Sequence, residues 1–396
     1  MKAGWQTGNL GDVCDVVGGG TPSKDKPAFY SGDIPWATVR DLKQEVITST
    51  EFKITKDAVK SSATNIIPSG NVIIATRVGL GKVCLLGQDT AINQDLRGIV
   101  PLDTTKLNVR FLFWWLKSIA HVIVAEGTGA TVQGVKLPFV KALQVPLPSP
   151  QEQQRIVGIL DEAFDGIDVA KANAEKNLQN ARALFESYLQ SIFTQRGEGW
   201  REKRLDEACT FSSGGTPSKS NSGYWSGEIP WISGRDMKST QLFDSLLHIS
   251  RSAVDESSTR MAPAGTLLIL VRGMGLAHGA QIAELMVPCA FNQDIRAIHP
   301  EPGLIPRYLL FALRDRINSS NNVLSSAAHG TLKIDSDELK RVMIPVSSRG
   351  HQLKVVATID SLSEETRRLE SIYQRKFTAL DDLKKSLLHQ AFSGAL

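Results

Sequence analysis

Cysteine is scarce: four in 396 residues, none in a CxxC pair and none with histidine at ligand spacing. That pattern supports neither a zinc site nor a disulfide framework, and Cys14 and Cys209 are expected to be small core residues. No apolar run approaches the ~20 residues that cross a bilayer. Met1-Lys2-Ala3-Gly4-Trp5 lacks the apolar core of a secretory leader, so a cytoplasmic chain without membrane contact is expected. Charge of one sign is also missing. The net charge of +4, with 16 basic against 12 acidic residues in 1–150, permits phosphate binding through a local patch without demanding it. Val78-Gly79-Leu80-Gly81-Lys82-Val83 lacks the spacing and final hydroxyl of a P-loop. Gly127-Thr128-Gly129-Ala130 resembles the start of a dinucleotide loop, but its counterpart Ala327-Ala328-His329-Gly330 does not. No cofactor, metal or catalytic group is expected.

What is present is a repeat. Gly19-Gly20-Thr21-Pro22-Ser23-Lys24 returns as Gly214-Gly215-Thr216-Pro217-Ser218-Lys219, and Ser31-Gly32-Asp33-Ile34-Pro35-Trp36 returns as Ser226-Gly227-Glu228-Ile229-Pro230-Trp231, both at a step of 195. Arg40-Asp41-Leu42-Lys43 matches Arg235-Asp236-Met237-Lys238. Ile92-Asn93-Gln94-Asp95 matches Phe291-Asn292-Gln293-Asp294 at a step of 199. So long a period excludes a solenoid, whose repeats run about 20–50 residues.

Short apolar runs at 34–39, 72–76, 229–232 and 267–271 read as strands, and 110–124 and 307–317 as helices, which predicts an α+β module. Proline at 146, 148 and 345 stops each module. A long helix follows each stop. Ile156, Leu160, Ala163, Ile167, Ala170 and Ala174 are spaced 4, 3, 4, 3, 4; after Leu178 the stripe resumes at Ala181, Phe185, Tyr188 and Ile192. Val355, Ile359, Leu362, Thr366, Leu369 and Tyr373 repeat it, and Phe377, Leu380, Leu387 and Ala391 continue it, with Lys384 the polar exception. This is a coiled-coil seam with a duplicated stutter. Ser149-Pro150-Gln151-Glu152 opens the first helix as a capping box, and Gly197 and Gly394 are expected to end the two. Domains are therefore expected at 1–148, 149–197, 198–347 and 348–396. Two globular modules are expected to be separated by two antiparallel helices in a pseudo-twofold arrangement.

GGTPS, then SG(D/E)IPW, then an NQD loop, then the exit VPLPSPQEQQRIVGILD, in an order repeated twice, resembles the specificity (S, HsdS) subunits of type I restriction-modification systems. The resemblance implies that each module reads half of a split double-stranded DNA target. It also implies that the helices separate the halves and dock two methyltransferase subunits, with restriction subunits joining the full complex. It further implies a non-catalytic chain, and the sequence carries no (N/D)PP(Y/F/W) methyltransferase motif. Because the modules differ, the target is expected to be asymmetric. The rival readings are a coiled-coil protein-interaction scaffold and the recognition subunit of another restriction type.

Residues identical in both copies are expected to build scaffold or touch the DNA backbone, and those that differ to read bases. Thr21, Ser23 and Lys24, with Thr216, Ser218 and Lys219, offer hydroxyls and a cation to phosphate. Arg77 and Arg272 end equivalent strands and suit a base edge or a phosphate. Asn93, Gln94 and Arg97, with Asn292, Gln293 and Arg296, carry base-pairing chemistry, although their identity in both copies favours an architectural role. Lys43 and Lys238 start a more variable stretch, and Thr131, Gln133 and Lys136 against Thr331 and Lys333 mark another. Trp36 and Trp231 are expected in the core.

Overall fold

The structure, a computed structural model, describes residues 5–129, 134–194, 199–319, 324–326 and 332–396. The chain divides into two compact units, Met1–Glu175 with Tyr373–Leu396, and Lys176–Ile372.

In the first unit a five-stranded sheet runs in the order Cys14–Gly18, Leu96–Pro101, Val72–Ala75, Val83–Leu86, Val46–Ile47. Its pairs are antiparallel except the last. Val72–Ala75 occupies the centre and is buried at every position, which explains its unbroken apolar run. A second sheet runs Phe52–Ile54, Ile34–Ala37, Thr90–Ile92, Asn65–Ile67. The strand expected at 34–39 ends at Ala37 because Thr38 caps a tight turn at Val39–Asp41. Helix Val109–Ser118 starts where the Asn108 side chain accepts from the Arg110 and Phe111 amides, and it buries six consecutive residues, Phe111 to Leu116. Gln6–Asn9 pairs with Gln144–Leu147, so the module's first and last strands meet beside the exit into the long helix.

The second unit repeats these elements. Displacement is 195 residues through Leu267–Leu270, 199 over Ile282–Pro300, 197 at the helix Pro306–Asn318, where Arg307 answers Arg110, and 199 again from Ser336–Arg341 onward. The four extra residues therefore fall in the loop 271–281, which carries Arg272 near its start. All four cysteines are buried, and burial pushes the Cys14 and Cys209 thiols up to about 12.

The long helices are Pro150–Thr194 and Arg349–Ser393, 45 residues each. Ser149 Oγ accepts from the Glu152 amide and Ser348 Oγ from the His351 amide. Gly394 adopts φ +83°, and the Ala395 amide returns to the Gln390 carbonyl, which ends the second helix. Gly197 lies outside the described residues. Inside the first unit the helices run antiparallel: Lys171 meets Asp381, Asp168 meets Lys384, and Arg155 donates to the Leu396 carbonyl. Inside the second, Arg182 meets Glu370 in the same sense, at 2.7 Å.

Of the expected seam, Ile156, Leu160, Ile167, Leu178, Val355 and Ile359 are buried, while Phe185, Phe377, Leu380 and Leu387 are half-buried. Two positions require correction. Tyr188 is 39% and Leu369 37% exposed, whereas Leu189 is 2% and Phe193 0% exposed. The buried face near the end of the first helix turns toward the second module, where Phe193 stacks edge-on against Tyr308 at 5.6 Å. A stripe drawn for one helical partner does not anticipate this second one. Phe164, also missed, meets Trp114 edge-on at 4.6 Å. Lys384 is accommodated by Asp168 and by the Phe164 ring beneath its ammonium, at 5.1 Å.

Each helix is fastened to its module by one buried amide. Gln153 accepts from the Asn108 amide and donates to the Lys106 and Pro148 carbonyls; Gln352 does the same with Ile305, Gly303 and Ser347. Arg110 pairs with Asp161, and Arg307 with Asp360, about two turns further on.

Candidate nucleic-acid interface

The repeated Gly-Gly turn lies against the loop that carries the NQD motif. A Cβ on Gly19 would fall 2.1 Å from the Asn93 carbonyl oxygen, and one on Gly214 2.2 Å from that of Phe291, so only glycine fits. Trp36 Nε1 donates to the Gly20 carbonyl and Trp231 Nε1 to that of Gly215. Both tryptophans are buried core residues whose one polar atom pins the turn. The Thr21 hydroxyl then donates to Gln94 Oε1, and Thr216 does likewise to Gln293.

Asn93 and Asn292 are buried and accept the amides of Asp95 and Asp294 through Oδ1, both at 3.1 Å. They shape the loop. Gln94 is half-buried and Gln293 exposed. Arg97 is half-buried and donates to the Leu96 carbonyl; burial, and then the charge of Arg77, hold its guanidinium below the ordinary value. Arg296 is likewise half-buried, while Arg77 and Arg272 are exposed, Arg77 lying 3.6 Å from Asp95.

The later loop joins the same place in each module. The Val135 amide donates to the Thr76 carbonyl and that of Ile334 to Val271, both at 2.9 Å. Lys136 is exposed and Lys333 half-buried beside these contacts, and Arg272 forms a backbone bridge with Lys333. Thr131, Gln133 and Thr331 lie outside the described residues. Ser23, Lys24, Ser218 and Lys219 are exposed, as are Lys43 and Lys238 one loop away.

Beside each Gly-Gly turn opens a groove. The first, about 820 Å³, is lined by Thr21, Lys24, Pro27, Tyr30, Trp36, Thr38, Val39, Arg40, Phe52, Val78, Asn93, Gln94 and Asp95. The second, about 690 Å³, is lined by Lys219, Ser222, Trp225, Trp231, Ser233, Arg235 and Leu247. Every residue of the second lies 195 positions after one of the first. Lysine, tryptophan and arginine are retained, while Pro27, Tyr30, Thr38 and Phe52 become Ser222, Trp225, Ser233 and Leu247. Reading the sequence missed Arg40, Arg235 and these variable walls, although the repeated Arg-Asp was a signal for the first two. Cations at the rim and hydroxyl, amide and apolar groups inside suit a duplex, whose phosphates take the charge and whose base edges take the rest. Among the described residues no group of three His, Cys, Asp or Glu could hold a metal, and no helix is long and apolar enough to cross a membrane.

The family described as type I restriction modification DNA specificity domain matches residues 2–179 and again 197–374. The chain belongs to that family. It is a type I specificity subunit, a non-catalytic protein of DNA target recognition. It is 25% identical over 365 residues to the type I restriction enzyme MjaIX specificity subunit of Methanocaldococcus jannaschii, covering 86% of this chain and 83% of that one. To the EcoR124I/EcoR124II specificity subunit of Escherichia coli it is 27% identical over 301 residues, 73% of each. The fold of the specificity subunit matches a chain from a study of assembly and conformational transition of the type I system (TM-score 0.80, 20% identity, 100% and 99% covered). It also matches the HsdS subunit of Thermoanaerobacter tengcongensis (TM-score 0.62, 19% identity, 100% and 98% covered).

Proposed function

We propose that this specificity subunit reads a bipartite, asymmetric DNA target, one half through each module. The observation that carries the reading is the pair of grooves built on one frame with different walls. A shared frame holds two stretches of the same duplex backbone, and altered walls select different bases. Residues 1–148 and 198–347 are the two recognition domains, and 149–197 and 348–396 are the spacer helices that set the unread gap. Lys24, Arg40, Lys219 and Arg235 take phosphates. Arg77 and Arg272, with Gln94 and Gln293, face the base edges beside them, and Asn93 and Asn292 keep those loops in shape. Module and helix are both duplicated, so a methyltransferase subunit that docks on one copy finds an equivalent second, giving two per chain, with restriction subunits added in the complete cytoplasmic enzyme.

The test is module exchange. With residues 1–148 replaced by another subunit's first module and the chain assembled with its methyltransferase, one half of the methylated motif is expected to change and the other to persist. Both halves changing together rejects the reading. A coiled-coil scaffold for protein alone predicts binding that ignores salt, whereas DNA affinity falls steeply with salt through counterion release.

A further inference from the structure

The loop that follows the arginine of each groove has one backbone and two chemistries. In the first module Asp41 accepts the Thr38 amide and hydroxyl through Oδ2 and the Glu51 amide, at 2.8 Å, through Oδ1. In the second Asp236 accepts the Ser233 amide and hydroxyl and, again at 2.8 Å, the Leu246 amide. Ten residues are thus held closed by the same three bonds. The side chains they present differ. The first loop encloses a polar hollow of about 370 Å³ whose lining includes Arg40, Lys43, Gln44, Thr48 and Glu51, and Arg40 lies 3.7 Å from Glu51.

In the second loop Thr48 is replaced by Phe243, 63% exposed, and Glu51 by Leu246, 71% exposed, next to the half-exposed Leu247 in the groove wall. The same change that makes the loop apolar removes the carboxylate beside the arginine. Among the described residues Arg235 has no ion-pair partner, and its own amide donates to Ser233. Asp244, within the loop, is engaged by His248 Nε2 at 2.7 Å.

We propose that this loop determines specificity in each module, and that in the second Phe243 and Leu246 select thymine by seating its 5-methyl group. This rests on the DNA-recognition reading above. In the major groove the thymine methyl is the one apolar feature on any unmodified base edge, so apolar side chains held there favour thymine over cytosine. Lys219 and Arg235 line the groove whose wall includes Leu247, beside the patch, and hold the flanking phosphates, a combination that fits duplex DNA. The first module, with Glu51 and Thr48 in place of the apolar pair, reads its half-site by hydrogen bonds instead.

The test uses the full chain assembled with its methyltransferase subunit. The methylated motif is mapped first, and binding is then measured to duplexes in which thymines of each half-site are replaced one at a time by deoxyuridine, which removes only the methyl. In one half-site uracil is expected to weaken binding about four-fold per methyl. The variant carrying Phe243→Thr and Leu246→Glu is expected to bind uracil and thymine duplexes alike and to relax that position in its own mapped motif, leaving the other half intact. Unchanged wild-type affinity for uracil throughout a well-defined motif overturns the inference and leaves the recognition reading standing. A methylome without any recurrent motif overturns both. Uracil-neutral binding, with Phe243 and Leu246 needed instead for assembly with the methyltransferase, reassigns the loop to a protein contact and also overturns it.

Discussion

At the scale of single residues, the positions that hold the fold are polar groups placed where no water reaches. Gln153 satisfies three backbone groups at the junction of module and helix. Leucine in its place would fill a similar volume and leave an amide and two carbonyls without partners, so Gln153→Leu is expected to cost about 1–3 kcal/mol in urea unfolding. Lys43→Ala, at an exposed site, should stay within about 0.5 kcal/mol. The internal repeat offered this residue, since Gln352 recurs at the 199-residue step, but a lone glutamine on a helix reads as solvated until its burial is seen. His299 offers a second test. Its ring lies between Ser212 Oγ at 2.9 Å and Thr266 Oγ1 at 3.2 Å, and burial holds its pKa below the ordinary value. A depressed folded pKa means that the unfolded chain binds the proton more readily, so this contribution is complete above pH ~6.5 and is lost as pH falls below it. Glu284 and Asp315, raised by burial, act in the opposite sense at lower pH, which makes the variant comparison decisive. The drop in Tm from pH 7.5 to 5.5 should be smaller in His299→Asn than in the parent, and an equal drop would count against the assignment.

At the scale of elements, the long helices were the most legible part of the sequence and the recognition loops the least. Apolar spacing marks a helix wherever one face is buried, and the starts at Ser149 and Ser348 carry capping residues. What spacing does not reveal is a change of partner along the helix. Tyr188 and Leu189 are adjacent in sequence and both suit a seam, yet only Leu189 enters the core of the second unit. Leu189→Asp is therefore expected to destabilise by more than about 3 kcal/mol through a buried, unpaired charge, whereas Tyr188→Asp should remain within about 1 kcal/mol. Chemical denaturation of the two variants side by side reads the difference, and equal losses would restore the simple stripe. The loops were illegible for another reason. Their shape depends on contacts such as Asp41 to Glu51 and Val135 to Thr76, which no periodicity encodes. Only comparison of one half of the chain with the other exposed them, by showing which frames recur while the side chains change.

At the scale of the whole molecule, duplication accounts for what neither residue nor element explains. Both modules keep the Gly-Gly turn, the tryptophan that pins it and the cations of the groove, while the four-residue insertion falls in the loop behind Arg272 and the apolar substitutions fall at Phe243 and Leu246. On the proposed reading these changes fall where bases would be read, and the retained groups where any duplex would be gripped. The helices are retained as well, at 45 residues in both copies. A recognition element can drift without penalty to the spacer only if the two tasks are mechanically separate. One heptad added to both helices, in register with their apolar stripes, lengthens each by about 10 Å at 1.5 Å per residue. On the proposed reading this moves the two methylated half-motifs apart by about three base pairs, at ~3.4 Å each, while leaving the bases within each half unchanged. Mapping methylated positions with the lengthened chain measures both quantities at once. A constant gap would show that the helices do not set it, and an altered half-motif would show that reading and spacing are coupled.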